Sequence, residues 1–491
     1  MSPAVHADIT PLLEAVSAAD EARVIEETMD LLGPGQVPPA HIAARVAIPA
    51  AWAGGDGHPL LVLGAAGRVA EWMRSIPAGP EPGAANEAKL RPALPLVQGF
   101  LAVASSVRAG LSEPHPDLPP PTPPIEIKTE GGARGALREA LAAQDHQRFA
   151  SVLMGFYRTG TDYRELLANL YAVLAHRHPA GGHPLIFAAG SSRVLDMAEW
   201  GIRVPPLVHW IVPLVVTAEP DEPWVAQVRQ YAAAPEHQLA WLRERLSIAK
   251  EDAAGPQMRR GVLSGDTAAA CDAVFAALRG GASQRGVASG LALAAAERLL
   301  TIPAGDAESL LRAGHVLLYT HAVHRAMLQT QDPDIYPLLY TAAGAVNALR
   351  GSADTPAVAA ATSTPLSGGL IAPAQLRAFE HQIEQGDAPT ALATARRYVQ
   401  MGHATRSLAA LIGAAASRHD PRGAGLHTLS IAAAAAEEYL DQPGMLGPGA
   451  VNQTSGQSAL LGAAIRLASE LPGDTALAAR LSDAIARRVT S

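Results

Sequence analysis

Four stretches of this 491-residue chain read alike, and no other feature narrows the choice of fold so far. They are GDGHPLLVLGAAGRVAEW from Gly55, AGGHPLIFAAGSSRVLDM from Ala180, RAGHVLLYTHAVHRAM from Arg312 and AGLHTLSIAAAAAEEYL from Ala424. Each sets a histidine at the same point, and His58, His183, His315 and His427 follow one another at 125, 132 and 112 residues, a period of about 120. Ten residues on, the first three stretches carry Arg68, Arg193 and Arg325, whereas the fourth carries Glu437.

The pattern around each histidine is helical. Ala136 to Pro179 parallels Leu376 to Asp420, with apolar residues at three- and four-residue spacing, as in Leu166, Leu167, Leu170 and Leu174. Gly-containing breaks such as Thr159–Thr161 and Met401–His403 separate one helix from the next. A further helix is predicted after each histidine segment, at Leu96–Val107, Pro206–Thr217, Pro337–Leu349 and Ser458–Leu471. The expectation is an all-α chain of four tandem repeats packed as a helical array: repeat 1 over 1–112, repeat 2 over 133–250, repeat 3 over 251–350 and repeat 4 over 374–491. A Pro-rich linker, 113–132, and a Gly/Ser/Thr/Pro linker, 351–373, separate the outer copies, while no such spacer occurs around Ser247–Gly265. Strand signals are confined to Ile125–Ile127 and to Trp210–Val216, and the latter aligns with helices elsewhere. Leu61–Val69 has the look of a dinucleotide-binding turn but puts Ala70 where a third glycine is needed.

Composition excludes several classes. A net charge of −8 without a Lys/Arg run gives no nucleic-acid footprint and no attraction to an anionic membrane. The apolar run Val204–Ala218 is broken by Pro205, Pro206, His209 and Pro213, so no spanning helix is expected, and the N-terminal residues carry no secretory pattern. A single cysteine, Cys271, rules out an intramolecular disulfide, agrees with a cytoplasmic protein and leaves histidines and carboxylates as the metal ligands on offer.

The His-Pro pairs place Pro59 and Pro184 at the first helical position and His58 and His183 at the cap. Caps are served as well by Ser, Thr, Asp or Asn, so four imidazoles at one point ask for another reason. If the array closes, the four converge, and a histidine-only site with open positions suits iron, or another His-bound divalent metal. Copy three adds His321 and His324 on one helical face, with Tyr319 nearby. The candidate ligands are therefore His58, His183, His315, His321, His324 and His427. His183, His315 and His321 are the candidate catalytic groups, as metal ligands or as general acid and base. Arg193, Arg325 and Tyr319 are candidates for holding a cofactor. His176, His178 and His419 lie just before the turns of copies two and four, where they can add ligands or complement a helix C-terminus.

Gly182-His-Pro-Leu-Ile186 resembles the His-Pro-Leu-Ile-His signature of the questin oxidase-like family, helical proteins of polyketide oxidation, with Phe187 in place of the second signature histidine. The resemblance spans about one copy of the four. It implies an oxidase or oxygenase acting on an aromatic or polyketide-like small molecule. The His427-Thr-Leu segment is also similar to helical regions joined to Rieske-type domains, whose cluster needs cysteines this chain lacks. The alternative is a non-catalytic α-repeat module that binds a protein or peptide, its histidines structural. The oligomeric state stays open, a homo-oligomer included.

Overall fold

A computed structural model describes residues 7–34, 37–78, 83–106, 123–160, 162–197, 204–217, 219–245, 255–349, 371–419, 427–442, 455–471 and 475–490. Among these the fold is all-α. The elements are α-helices with four short 3-10 turns, and the one β contact is an isolated bridge between Pro179 and Asp221.

Four helices form the centre: His58–Met73, His183–Met197, Ala307–Gln329 and Thr428–Leu440. They are named below by His58, His183, His315 and His427. Each packs on the next and the fourth returns to the first, so the ring closes. Their histidines meet at one end, and Arg68 and Arg193 meet Glu437 at the other, so all four run in parallel. Helices apolar on every side belong inside, and these are: thirteen residues of the His58 helix and all thirteen of the His427 helix are buried. Small residues let the backbones approach. A Cβ at Gly314 would stand 2.8 Å from Ile431 of the neighbouring central helix.

An outer layer covers the ring. Pro39–Ala53 and Ala93–Ser106 flank the His58 helix, Tyr163–Leu174 and Val204–Val215 the His183 helix, Gln284–Leu299 and Leu338–Ala348 the His315 helix, and Thr405–Ala416 and Ser455–Ser469 the His427 helix. The helices expected after each histidine segment are thus present, shifted by a few residues. Trp210–Val216 falls largely in the helix Val204–Val215, and Leu61–Val69 lies inside the His58 helix.

Several expectations need correction. Ile125–Ile127 is extended but joins no sheet, its one link being the Ile125 N–H to the Ser151 carbonyl at 3.1 Å. The linkers end earlier than expected. A helix begins at Glu130, capped by the Thr129 hydroxyl accepting from Gly132, and another at Ala372 with proline in its first turn. Half of the first linker, 113–122, and most of the second, 351–370, lie outside the described residues. Part of Ser247–Gly265 is the helix Pro256–Leu263. No described helix is long and apolar enough to cross a membrane.

Candidate metal centre

The histidines enter their ring by three local routes. His58 and His183 are the first residues of their helices rather than caps, because Gly57 holds the cap position of one and a 3-10 turn leads into the other. In that turn Gly181 and Gly182 have φ of 65° and 85°, and a Cβ at Gly182 would meet the Tyr319 ring at 2.4 Å. His427 is a true cap residue. His315 sits two turns inside its helix, which starts at Ala307 under an Asp306 cap; Val316 stands where copies one and two have the proline that starts their helices.

The structure brings all four imidazoles together. His58 Nε2 lies 2.9 Å from His183 Nε2, which lies 3.1 Å from His315 Nε2. The His427 ring is 4.5 Å from that of His58, 5.9 Å from His183 and 5.6 Å from His315, centroid to centroid. Ligand atoms of His58, His183 and His427 all fall within 4.8 Å of one another. His427 Nε2 is buried without a hydrogen-bond partner.

The far nitrogens set the chemistry of the near ones. His58 Nδ1–H donates to Asp56 Oδ1 at 2.6 Å, and His183 Nδ1–H donates to the Ala180 carbonyl. In each neutral ring Nε2 then keeps only its lone pair. Two lone pairs 2.9 Å apart repel unless a positive charge, a proton or a metal ion, lies between them. Separations of 2.9 and 3.1 Å are those of neighbouring nitrogens sharing one ion at about 2.0–2.1 Å. Burial holds His183 below the usual histidine range, against its bond to Ala180, and holds His315 well below it, with the other imidazoles adding. His427 is depressed to about 4, again by burial first. Three of the four are therefore neutral ligands at neutral pH. Phe187, in the place of the second signature histidine, packs edge-on to His58 at 5.2 Å and walls the cluster.

His183, His315 and His427 face a cleft of about 630 Å³, which Trp224, Leu311 and Leu349 line with apolar surface. His178 lines it too: its ring packs on Trp224 and Tyr319, its Nδ1 stands 3.4 Å from Glu222, and neither nitrogen makes a hydrogen bond among the described residues. Tyr319, behind it, is fully buried with its hydroxyl unpartnered, and burial raises its pKa.

His321 and His324 are not brought to this cluster, and they are not exposed. They lie buried further along the ring, where His321 Nδ1 and His324 Nδ1 reach Glu438 at 2.7 and 2.9 Å, and His321 Nε2 stands 3.3 Å from Glu437. Burial drives Glu437 and Glu438 up, but Arg193 and His321 hold Glu437 well below its usual range, and His324 and His321 hold Glu438 at about 2. Arg193 donates to Glu437, Arg68 stands 3.4 Å from it, and Arg325 stands 3.9 Å from Asp196. A void of about 20 Å³ between the two layers, edged by the unpartnered Ser430 hydroxyl, has room for one water.

Asp56, Glu438 and Trp224 escaped the sequence reading. Asp56 is signalled only by its place two residues before His58; Glu437 stood out as the break in the arginine series, but its role did not. The chain matches no family model, no curated protein and no solved structure.

Proposed function

We propose that this protein is an all-α oxidase or oxygenase of the questin oxidase-like type, in which His58, His183, His315 and His427 hold one iron, or another His-bound divalent metal. The observation that carries the reading is the meeting of the imidazole nitrogens of His58, His183 and His427 within 4.8 Å of one another, with His315 Nε2 a further 3.1 Å from His183 Nε2. Four central helices giving one imidazole each support a chain of four diverged helical units of about 120 residues around a pseudo-symmetry axis. When bound, iron in a histidine-only site with open positions supplies dioxygen activation.

The chain's own groups do the rest. Asp56 and the Ala180 carbonyl fix the ring orientations and tautomers of His58 and His183, as outer partners of metal-bound histidines do. The cleft beside His183 and His315 takes a flat aromatic or polyketide-like small molecule against Trp224 and Leu349. His178, with both nitrogens unspent, receives a phenolic proton or donates to a carbonyl there. The free, buried thiol of Cys271 fits the reducing cytoplasm.

Elemental analysis of protein expressed with iron, zinc and copper supplied, paired with oxygen uptake on a panel of polyhydroxylated aromatics, tests the reading. One metal per chain, lost in His183→Ala, supports it. A metal-free protein in every condition returns the chain to the binding-module alternative.

A further inference from the structure

About ten residues along the four central helices, or about 15 Å, separate the histidine cluster from the opposite end of the ring. A second cleft of about 340 Å³ opens there, edged by Arg68, Arg193, Arg325, Glu71, Asp196 and Glu437. By count the charges cancel, but the carboxylates are already committed. Glu71 accepts from the Ala40 N–H and from Arg74, both at 3.3 Å; Asp196 accepts from the Tyr163 hydroxyl; Glu437 is taken by Arg193 and His321.

The guanidiniums are not committed to the same degree. Arg193 is spent on Glu437, but Arg68, whose guanidinium also lies over the Trp72 ring, has a 3.4 Å ion pair and Arg325 a 3.9 Å one, neither with hydrogen-bond geometry. Among the described residues both guanidiniums, at the edge of the cleft, therefore keep N–H donors without a hydrogen-bond acceptor. Burial depresses the Arg193 pKa, Glu437 opposes that, and the charges of Arg325 and Arg68 add to the depression. Three cations thus crowd one shared carboxylate.

We propose that this cleft is a binding site for a small oxyanion, a phosphate or carboxylate group, held by Arg68 and Arg325. A planar guanidinium pairs with either group through two parallel N–H···O bonds, and two guanidiniums at one mouth make a clamp. The ligand enters from the end of the ring remote from the histidines, so the site stands whether or not a metal occupies the cluster.

Isothermal titration of the full chain at low ionic strength, with inorganic phosphate and then succinate as probes, reads the site directly. One ion binds per chain, and the tighter of the two probes tells whether the natural group is a phosphate or a carboxylate. Arg68→Ala and Arg325→Ala each weaken binding by about tenfold or more, the loss of one bidentate contact. Arg148→Ala, at an exposed arginine outside the cleft, leaves it unchanged. The Arg68 variant carries the test if the Arg325 variant folds poorly, since the Arg68 side chain is 47% exposed. Titration of His183→Ala separates the sites: phosphate held by a metal at the cluster would vanish with that variant, and the arginine assignment with it. Absence of saturable binding of both probes, or wild-type affinity in Arg68→Ala, overturns the proposal.

Discussion

His315, half-buried at the edge of the cleft, and His321, buried, stand six residues apart on one helix, and their pKa values move in opposite directions. Around His315 the neighbours are other imidazoles, and burial, the largest effect, drives it neutral. Burial acts on His321 in the same sense, but its hydrogen bonds to Glu437 and Glu438 outweigh it and raise its pKa. At one end of the ring burial thus holds His183, His315 and His427 neutral, and the other end is a layer of paired charges. Burial alone does not fix the charge of a histidine; the carboxylates that an adjacent helix brings to it do.

The largest effect expected from breaking this contrast is at Glu438. Its carboxylate serves His321 and His324 with both groups out of water, so Glu438→Gln leaves the buried His321 only Glu437, which Arg193 already shares. Urea denaturation should show a loss of about 3–5 kcal/mol. A loss below about 1 kcal/mol would mean that His321 is neutral and the two layers are alike.

Next comes the histidine cluster. His183→Ala removes the imidazole whose Nε2 is shared by His58 and His315, and metal affinity should fall by more than about 100-fold. In metal-free protein the same change should cost less than about 1 kcal/mol, since it also removes the repulsion between facing lone pairs. Asp56→Asn should weaken metal binding about 10-fold while leaving all four ligands in place.

The two layers should also respond oppositely to pH. His427 has a folded pKa of about 4, below the ordinary histidine value of 6.5, so the unfolded chain binds more protons between those values. Its contribution is complete above pH 6.5 and is lost as pH falls toward 4, on the order of 2 kcal/mol in metal-free protein. His183 and His315 act in the same sense. His321 has a raised folded pKa, so its contribution is complete below pH 6.5 and is lost as pH rises through that raised value. Denaturation midpoints across pH should flatten on the acid limb in His427→Gln and on the alkaline limb in His321→Gln. An acid limb unchanged in His427→Gln would place that imidazole outside the desolvated cluster.

How much of this was legible in the sequence follows from how far apart the partners lie. The four histidines share a place within a repeating pattern, so self-comparison found them without knowing what lay between. Helices and their order came from apolar spacing of the kind seen at Leu166, Leu167, Leu170 and Leu174. The start of the His315 helix did not, because alignment to the Gly-His-Pro copies masked the Asp306-x-x-Ser309 cap that sets it. The charged layer was out of reach for a different reason. Glu438 is 117 residues from His321, and only closure of the ring of helices brings them together. A helix read alone presents His321 and His324 as a polar face lacking a carboxylate at i+3 or i+4, which points toward solvent.

The smallest effect sharpens the comparison within the charged layer itself. Arg68 and Arg193 stand ten residues after His58 and His183, on neighbouring parallel helices, and both point at Glu437. Their surroundings differ: the Arg193 side chain is 16% exposed, hydrogen-bonds Glu437 and stands 3.1 Å from His321 Nε2, whereas Arg68 is half in water with its guanidinium 3.4 Å from the carboxylate. An ion pair of the second kind is screened by solvent and contributes little. Arg68→Ala should therefore change folding stability by less than about 0.5 kcal/mol, and Arg193→Ala by several times that, because it strips Glu437 of its principal partner in a dry interior. If Arg68→Ala proved as costly as Arg193→Ala, the exposed arginine would be part of the structural charge network rather than a donor free to hold an anion.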